Sequence, residues 1–164
     1  MNVFDFFCFL WLNLNVYYPV YLNLKGKRCL VVGGGSVALR KVSGLLKAQA
    51  KVKVVSPDAA DGLKRLAKAG RIELALRTYR SGELKKSMLV IGATDDERVN
   101  RRIFNDAQNK GILVNIVDNP KYCNFIVPSV LRRGDLCISI STGGVSPALA
   151  KNIRKELENK AGGA

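Results

Sequence analysis

Three consecutive glycines, Gly33, Gly34 and Gly35, stand between the apolar run RCLVVG (28–33) and the amphipathic stretch SVALRKVSGLLKAQA (36–50). Glycine is costly inside regular structure, so three at one joint imply a backbone that turns sharply or lets something approach closely. The run before them has the length and branching of a buried strand. The stretch after them reads as a helix, with Val37, Leu39, Val42, Leu45 and Leu46 apolar and Arg40, Lys41 and Lys47 exposed. A strand that feeds a helix through such a joint is the first half of a βαβ crossover.

The unit repeats along the chain. KVKVVS (51–56) reads as a second strand and DAADGLKRLAKAG as a helix ended by Gly70. RIELALR gives a third strand, SGELKKS a single helical turn and MLVIGAT (88–94) a fourth strand. DERVNRRIFNDAQNKG (96–111) is a capped helix and ILVNIV (112–117) a fifth strand. This alternation implies right-handed crossovers and a parallel sheet covered on both faces, a Rossmann-like, doubly wound α/β fold. The pattern then changes. NFIVPSVLRRGDLCISIST holds two strand-like runs joined as a hairpin, and SPALAKNIRKELENK is a helix with Ser146 as N-cap and Pro147 in its first position. The expected organisation is an extension of unknown role (1–16), a nucleotide-binding domain (17–120) and a small, shortened α+β region (121–164).

Composition narrows the chemistry. Of 164 residues, 27 are Lys or Arg and 13 Asp or Glu, a formal charge of +14. Such a field attracts anions. The basic clusters are short and scattered, so nucleic acid is not the expected partner, and a polycarboxylate or phosphate-bearing small molecule accounts for the same sign. There is no histidine, which leaves acid–base work to carboxylate, Tyr, Lys or Cys. Cys8, Cys29, Cys123 and Cys137 show no CxxC spacing. Cys29 and Cys137 read as buried core thiols, and the set fits a cytoplasmic setting with no metal site. The opening MNVFDFFCFLWLNLNV lacks the basic start and cleavage site of a signal peptide, and Asp5, Asn13 and Asn15 spoil a membrane span. An added strand or an early start codon is expected there, and no membrane association.

The glycines lie at the first βα turn, the context that a dinucleotide fingerprint requires. Gly33 would make the tight turn, Gly35 would let a diphosphate lie against the backbone, and Ala38 would stand where helix meets strand. Gly34 lies between them, and amides near Ser36 and Val37 would meet the phosphates. A ribose anchor is expected at the end of the second strand, where Ser56, Pro57 and Asp58 stand. Neither a clear acidic anchor nor an arginine for a 2′-phosphate is present, so NAD is the expected cofactor with NADP open. The fourth strand would bring Thr94 and Asp95 to the cofactor, with Asp96 as a helix cap. Asp118, at the end of the fifth strand, is either a catalytic carboxylate or a turn former with Asn119 and Pro120. In STGGVSP (141–147), Thr142 and Gly143 make an anion nest or a plain connector. A non-catalytic NAD-binding regulatory module is the alternative to an enzyme.

YYPVYLNLKGKRCLVVGGGSVALRK, LVIGATDDERVN, VNIVDNPKYCNFIVPSVLRRGDL and ISISTGGVSPALAKNIRKELE together resemble the precorrin-2 dehydrogenase family, over most of residues 17 to 158. The resemblance implies NAD-dependent oxidation of the tetrapyrrole precorrin-2 to sirohydrochlorin on the route to sirohaem, with metal insertion in some relatives. It places the family's motif aspartate on Asp118 and a pocket hydroxyl on Thr142. It also implies a homodimer formed after the nucleotide domain. Lys121, Arg132 and Arg133 are candidates to meet the substrate's carboxylates.

Overall fold

A computed structural model describes residues 17–160; the expected N-terminal extension lies outside the described residues. The chain divides into two compact units, one of residues 21–125 and one in which 126–160 gather with 17–20. In the larger unit β1 (Arg28–Val32), β2 (Lys51–Ser56), β3 (Ile72–Leu76), β4 (Leu89–Gly92) and β5 (Leu113–Ile116) form one parallel sheet in the order β3-β2-β1-β4-β5. Helices α1 (Ser36–Lys47), α2 (Asp61–Lys68) and α3 (Glu97–Gln108) make the crossovers, and a 3-10 turn, Ser81–Leu84, leads into β4. The strand order reverses between β1 and β4, so their carboxyl ends flank the crevice where doubly wound sheets take ligands.

The strands are apolar on both faces because both faces are covered. Along β1, Cys29 and Val31 join the cluster that holds Ala38, Val42 and Leu45 of α1 and Leu63 of α2. Leu30 and Val32 point the other way, to Ile103 and Ala107 of α3. Leu30 and Val31 are both fully buried, each contributing about 1.5–3 kcal/mol relative to exposure. Helix α3 starts where expected: Asp96 accepts hydrogen bonds from the amides of Arg98 (2.9 Å) and Val99 (3.2 Å). Gly70 and Gly111, just past the helices before β3 and β5, take left-handed φ of 67° and 62°, the usual way to stop a helix.

The smaller unit is a hairpin, β6 (Ser129–Arg133) with β7 (Leu136–Ile140), followed by α4 (Pro147–Lys160). Gly134 turns the hairpin with φ 53°, and Ser146 Oγ accepts from Leu149 N (3.3 Å) as the cap of α4. Two readings need correction. Cys137 is half-buried rather than a core thiol, whereas Cys29 is fully buried and burial pushes its thiol up to about 11. Lys41 is half-buried, not exposed. No helix among the described residues is long and apolar enough to cross a membrane.

Candidate functional site

The three glycines do different work. Gly33 has φ 124°, and a Cβ there would lie 2.0 Å from the carbonyl oxygen of Ala93, at the end of β4. At Gly34 a Cβ would lie 1.9 Å from the Asp58 carbonyl oxygen and 2.8 Å from Ser56 Oγ. The turn is therefore clamped between the ends of β2 and β4, with Gly33 N donating to Val55 O (3.0 Å) and Ala60 N to Gly34 O (2.8 Å). Gly35 faces open space, with nothing within 4 Å of a Cβ. It is the N-cap of α1, brings no side-chain cap, and no acidic residue stands in the first turn. The amides of Ser36, Val37 and Ala38 have no carbonyl inside the helix to receive them. Uncapped amides behind a bare, open glycine fit a diphosphate, so the residues present suit a dinucleotide.

Around this turn stand the other expected contacts of the crevice. Ser56 is buried under Gly34, while Pro57 and Asp58 are exposed. The Asp58 carboxylate accepts from Ala59 N (2.7 Å) and pairs with Lys64 (3.4 Å), contacts that hold its pKa below the usual value. Across the crevice Thr94 Oγ1 accepts from Asp96 N (3.2 Å), and Asn100 Nδ2 donates to Thr94 O (2.8 Å). Asp95 is exposed between them. Asn100, buried on α3, thus fixes the loop after β4, a role that its place in a polar-looking helix conceals.

Asp118 follows β5 with φ 59°, a left-handed conformation that a non-glycine residue holds at a cost of about 1 kcal/mol. Its carboxylate is exposed. The loop that carries it is pinned from behind. Val117 N continues the ladder to Gly92 O (2.9 Å). Cys123 Sγ accepts from Ile116 N (3.3 Å) and lies 3.3 Å from the carbonyl oxygens of Ile116 and Asn119. Asn124 then runs beside β5: its Oδ1 accepts from Val114 N (2.7 Å), its N–H donates to Val114 O (3.0 Å) and its Nδ2 to Ile112 O (3.2 Å). Asn115 Nδ2 donates to Phe125 O (3.0 Å). The open edge of β5 is therefore satisfied by residues 123–125 of its own chain, which is why the larger unit runs to Phe125.

Sequence reading missed Cys123, Asn124 and Lys41. The half-buried Lys41 of α1 lies where it feels the charge of Asp118. The available signal was spacing, since Lys41 stands three residues after Ala38 and four before Leu45, both buried.

Lys121 sits exposed in the 3-10 turn Pro120–Tyr122, in the same unit as Asp118. The remaining expected substrate contacts belong to the smaller unit. Arg132 is exposed, and Arg133 donates to Glu158 O (3.0 Å) near the end of α4. Thr142 Oγ1 accepts from Ser146 N (2.9 Å), and Gly143 N donates to Ser141 Oγ (3.1 Å). Gly143 and Gly144 take φ of 65° and 89°, so the loop before α4 is a hydroxyl-braced glycine turn.

The switch-point crevice and its glycine turn define a dinucleotide-binding protein of the doubly wound class. The family described as "Putative NAD(P)-binding" matches residues 20–129, and the one described as "Sirohaem biosynthesis protein central" matches residues 133–160. The chain belongs to this sirohaem-biosynthesis family of NAD(P)-binding proteins. It is 43% identical over 142 residues to a siroheme synthase of Nitrosococcus oceani, covering 87% of this chain and 30% of that protein. A siroheme synthase of Pseudoalteromonas atlantica is 45% identical over 143 residues, 87% of this chain and 31% of the relative. The chain thus spans about a third of the length of these relatives. Among solved structures it is similar to "SirC, precorrin-2 dehydrogenase", with a TM-score of 0.78 and 31% identity over 88% of this chain and 71% of that one.

Proposed function

We propose that this chain oxidises precorrin-2 to sirohydrochlorin with NAD, a reading supported by its similarity to SirC, which is named a precorrin-2 dehydrogenase. The observation that carries the reading is Asp118: an exposed carboxylate held in a left-handed conformation by a rigid loop, at the same end of the sheet as the glycine turn. Strain kept at a sheet's ligand-binding end points to a working residue. NAD, when bound, supplies a hydride acceptor. The chain's part is to seat the diphosphate on the amides of Ser36 and Val37, behind Gly35, with Ser56, Pro57 and Asp58 toward the ribose and Thr94 and Asp95 along the opposite wall. Oxidation removes a hydride and a proton from the macrocycle, and the Asp118 carboxylate takes the proton; in a chain without histidine a carboxylate is the natural acceptor. Lys121, Arg132, Arg133, Thr142 and Gly143 would meet the acidic side chains of the tetrapyrrole. A homodimer formed through the hairpin region, the division of labour between nucleotide domain and hairpin region, and a cytoplasmic location belong to the same proposal.

The test is an absorbance assay for sirohydrochlorin with NAD and with NADP. Formation with NAD is expected, and Asp118→Asn should lower kcat about 100-fold or more while NAD affinity stays within about twofold. Binding of NAD without turnover by the wild type would favour the regulatory-module alternative, and full turnover by Asp118→Asn would remove the residue from the chemistry.

A further inference from the structure

Four Lys or Arg residues among those described are half-buried: Lys41, Lys53, Arg77 and Arg154. Three of them have carboxylate partners. Lys53 pairs with Glu73 and with Glu83 (3.2 Å), Arg77 with Glu83, and Arg154 with Glu158. The Lys41 side chain makes no ion pair and no hydrogen bond among the described residues. Drawing an ammonium out of water without a partner is costly, so such a group is a ready site for an anion supplied from outside.

The surroundings of Lys41 say where that anion would sit. Its stem is carried on the flank of α1 that packs the core through Ala38 and Leu45, as long cationic side chains commonly lie against apolar surface with the head kept free. The groups whose charge it feels are Arg40 on its own helix and Asp118 on the loop after β5, joined by Cys123 only where that thiol ionises. Burial and Arg40 lower its pKa, and Asp118 and Cys123 oppose them only in part. Lys41 stands five residues beyond Ser36, about 7.5 Å along the helix axis, and that rise sets its backbone apart from the amides that would meet the diphosphate.

We propose that Lys41 is a substrate-binding residue that takes one carboxylate of the tetrapyrrole and so holds the edge of the macrocycle against Asp118. The inference rests on the dehydrogenase reading for the identity of the ligand. It adds a residue that anchors the substrate independently of the cofactor. As pH rises Lys41 loses its proton earlier than a free lysine, so anion binding weakens on the alkaline side.

The experiment measures binding of uroporphyrin, a stable octacarboxylate porphyrin, and of NAD separately, in wild type, Lys41→Met and Lys41→Arg, after thermal melts establish that each variant is folded. Lys41→Met should bind uroporphyrin about tenfold more weakly and lose the alkaline fall in affinity, whereas Lys41→Arg should stay within about threefold of wild type. NAD affinity should be unchanged in both. In turnover, Lys41→Met should raise KM for precorrin-2 with kcat little altered. Uroporphyrin binding by Lys41→Met equal to wild type would overturn the inference, and so would a parallel loss of NAD affinity, which would put the residue at the cofactor. A wild-type protein that binds uroporphyrin through Lys41 but does not oxidise precorrin-2 would instead defeat the dehydrogenase reading and leave the anion site standing.

Discussion

At the scale of single residues, the glycine turn separates two demands that the string GGG merges. Gly34 exists because the backbone of Asp58 passes too close for any side chain, whereas Gly35 meets no protein atom and stands open for the proposed diphosphate. Gly34→Ala should therefore cost about 3 kcal/mol, since a rigid carbonyl rather than a flexible side chain stands in the way. Gly35→Ala meets nothing within 4 Å and keeps an allowed φ of −80°. It should cost about 1 kcal/mol or less, yet weaken NAD about tenfold by standing where the diphosphate lies. Thermal melts with calorimetric NAD titrations separate the two effects; comparable melting temperatures for both variants would refute the distinction. The motif was readable from its position after a strand. That Gly34 is closed to any side chain was not, because the atoms that crowd it come from a residue 24 positions later.

At the scale of elements, β2, β3 and the 3-10 turn before β4 are tied together by charge. Glu83, with its side chain 7% exposed, lies between Arg77 and Lys53. Burial pushes its carboxyl up, but the two cations outweigh it and hold the pKa below the ordinary 4.5. A carboxylate with a depressed folded pKa contributes stability that is present above the unfolded value and lost as pH falls through the folded one. Glu83→Gln should lower stability by about 2 kcal/mol at neutral pH, discounted because both cations are partly exposed. It should also flatten the loss of stability below about pH 4.5 in urea titrations. An unchanged acid limb would show that the pair contributes nothing. Elements with regular periodicity were legible, down to the single turn of SGELKKS and the Ser146 cap. The loop after β5 was not: VDNPKYCNF has no period, and its order comes from Cys123 and Asn124 meeting backbone groups of β5.

For the whole molecule, the excess of 27 cations over 13 anions makes a long-range field that concentrates a multiply charged acid near the protein. On the proposed activity, KM for precorrin-2 should rise with ionic strength between about 50 and 500 mM salt, as screening shortens the reach of that field, while kcat holds. A KM indifferent to salt would mean that only local contacts, such as the one proposed for Lys41, count.

The order of strands and helices, the glycine turn and the two apolar faces of the sheet could be derived from the chain alone, because periodicity and turn chemistry are local properties that neighbouring residues set together. Tertiary structure alone decided that Lys41 is a half-buried cation without a partner, that Asp118 is held in a left-handed conformation, and that residues 123–125 close the sheet's edge. Each of these depends on groups distant in sequence meeting in space, where burial removes water from a charge and packing leaves a backbone no other conformation.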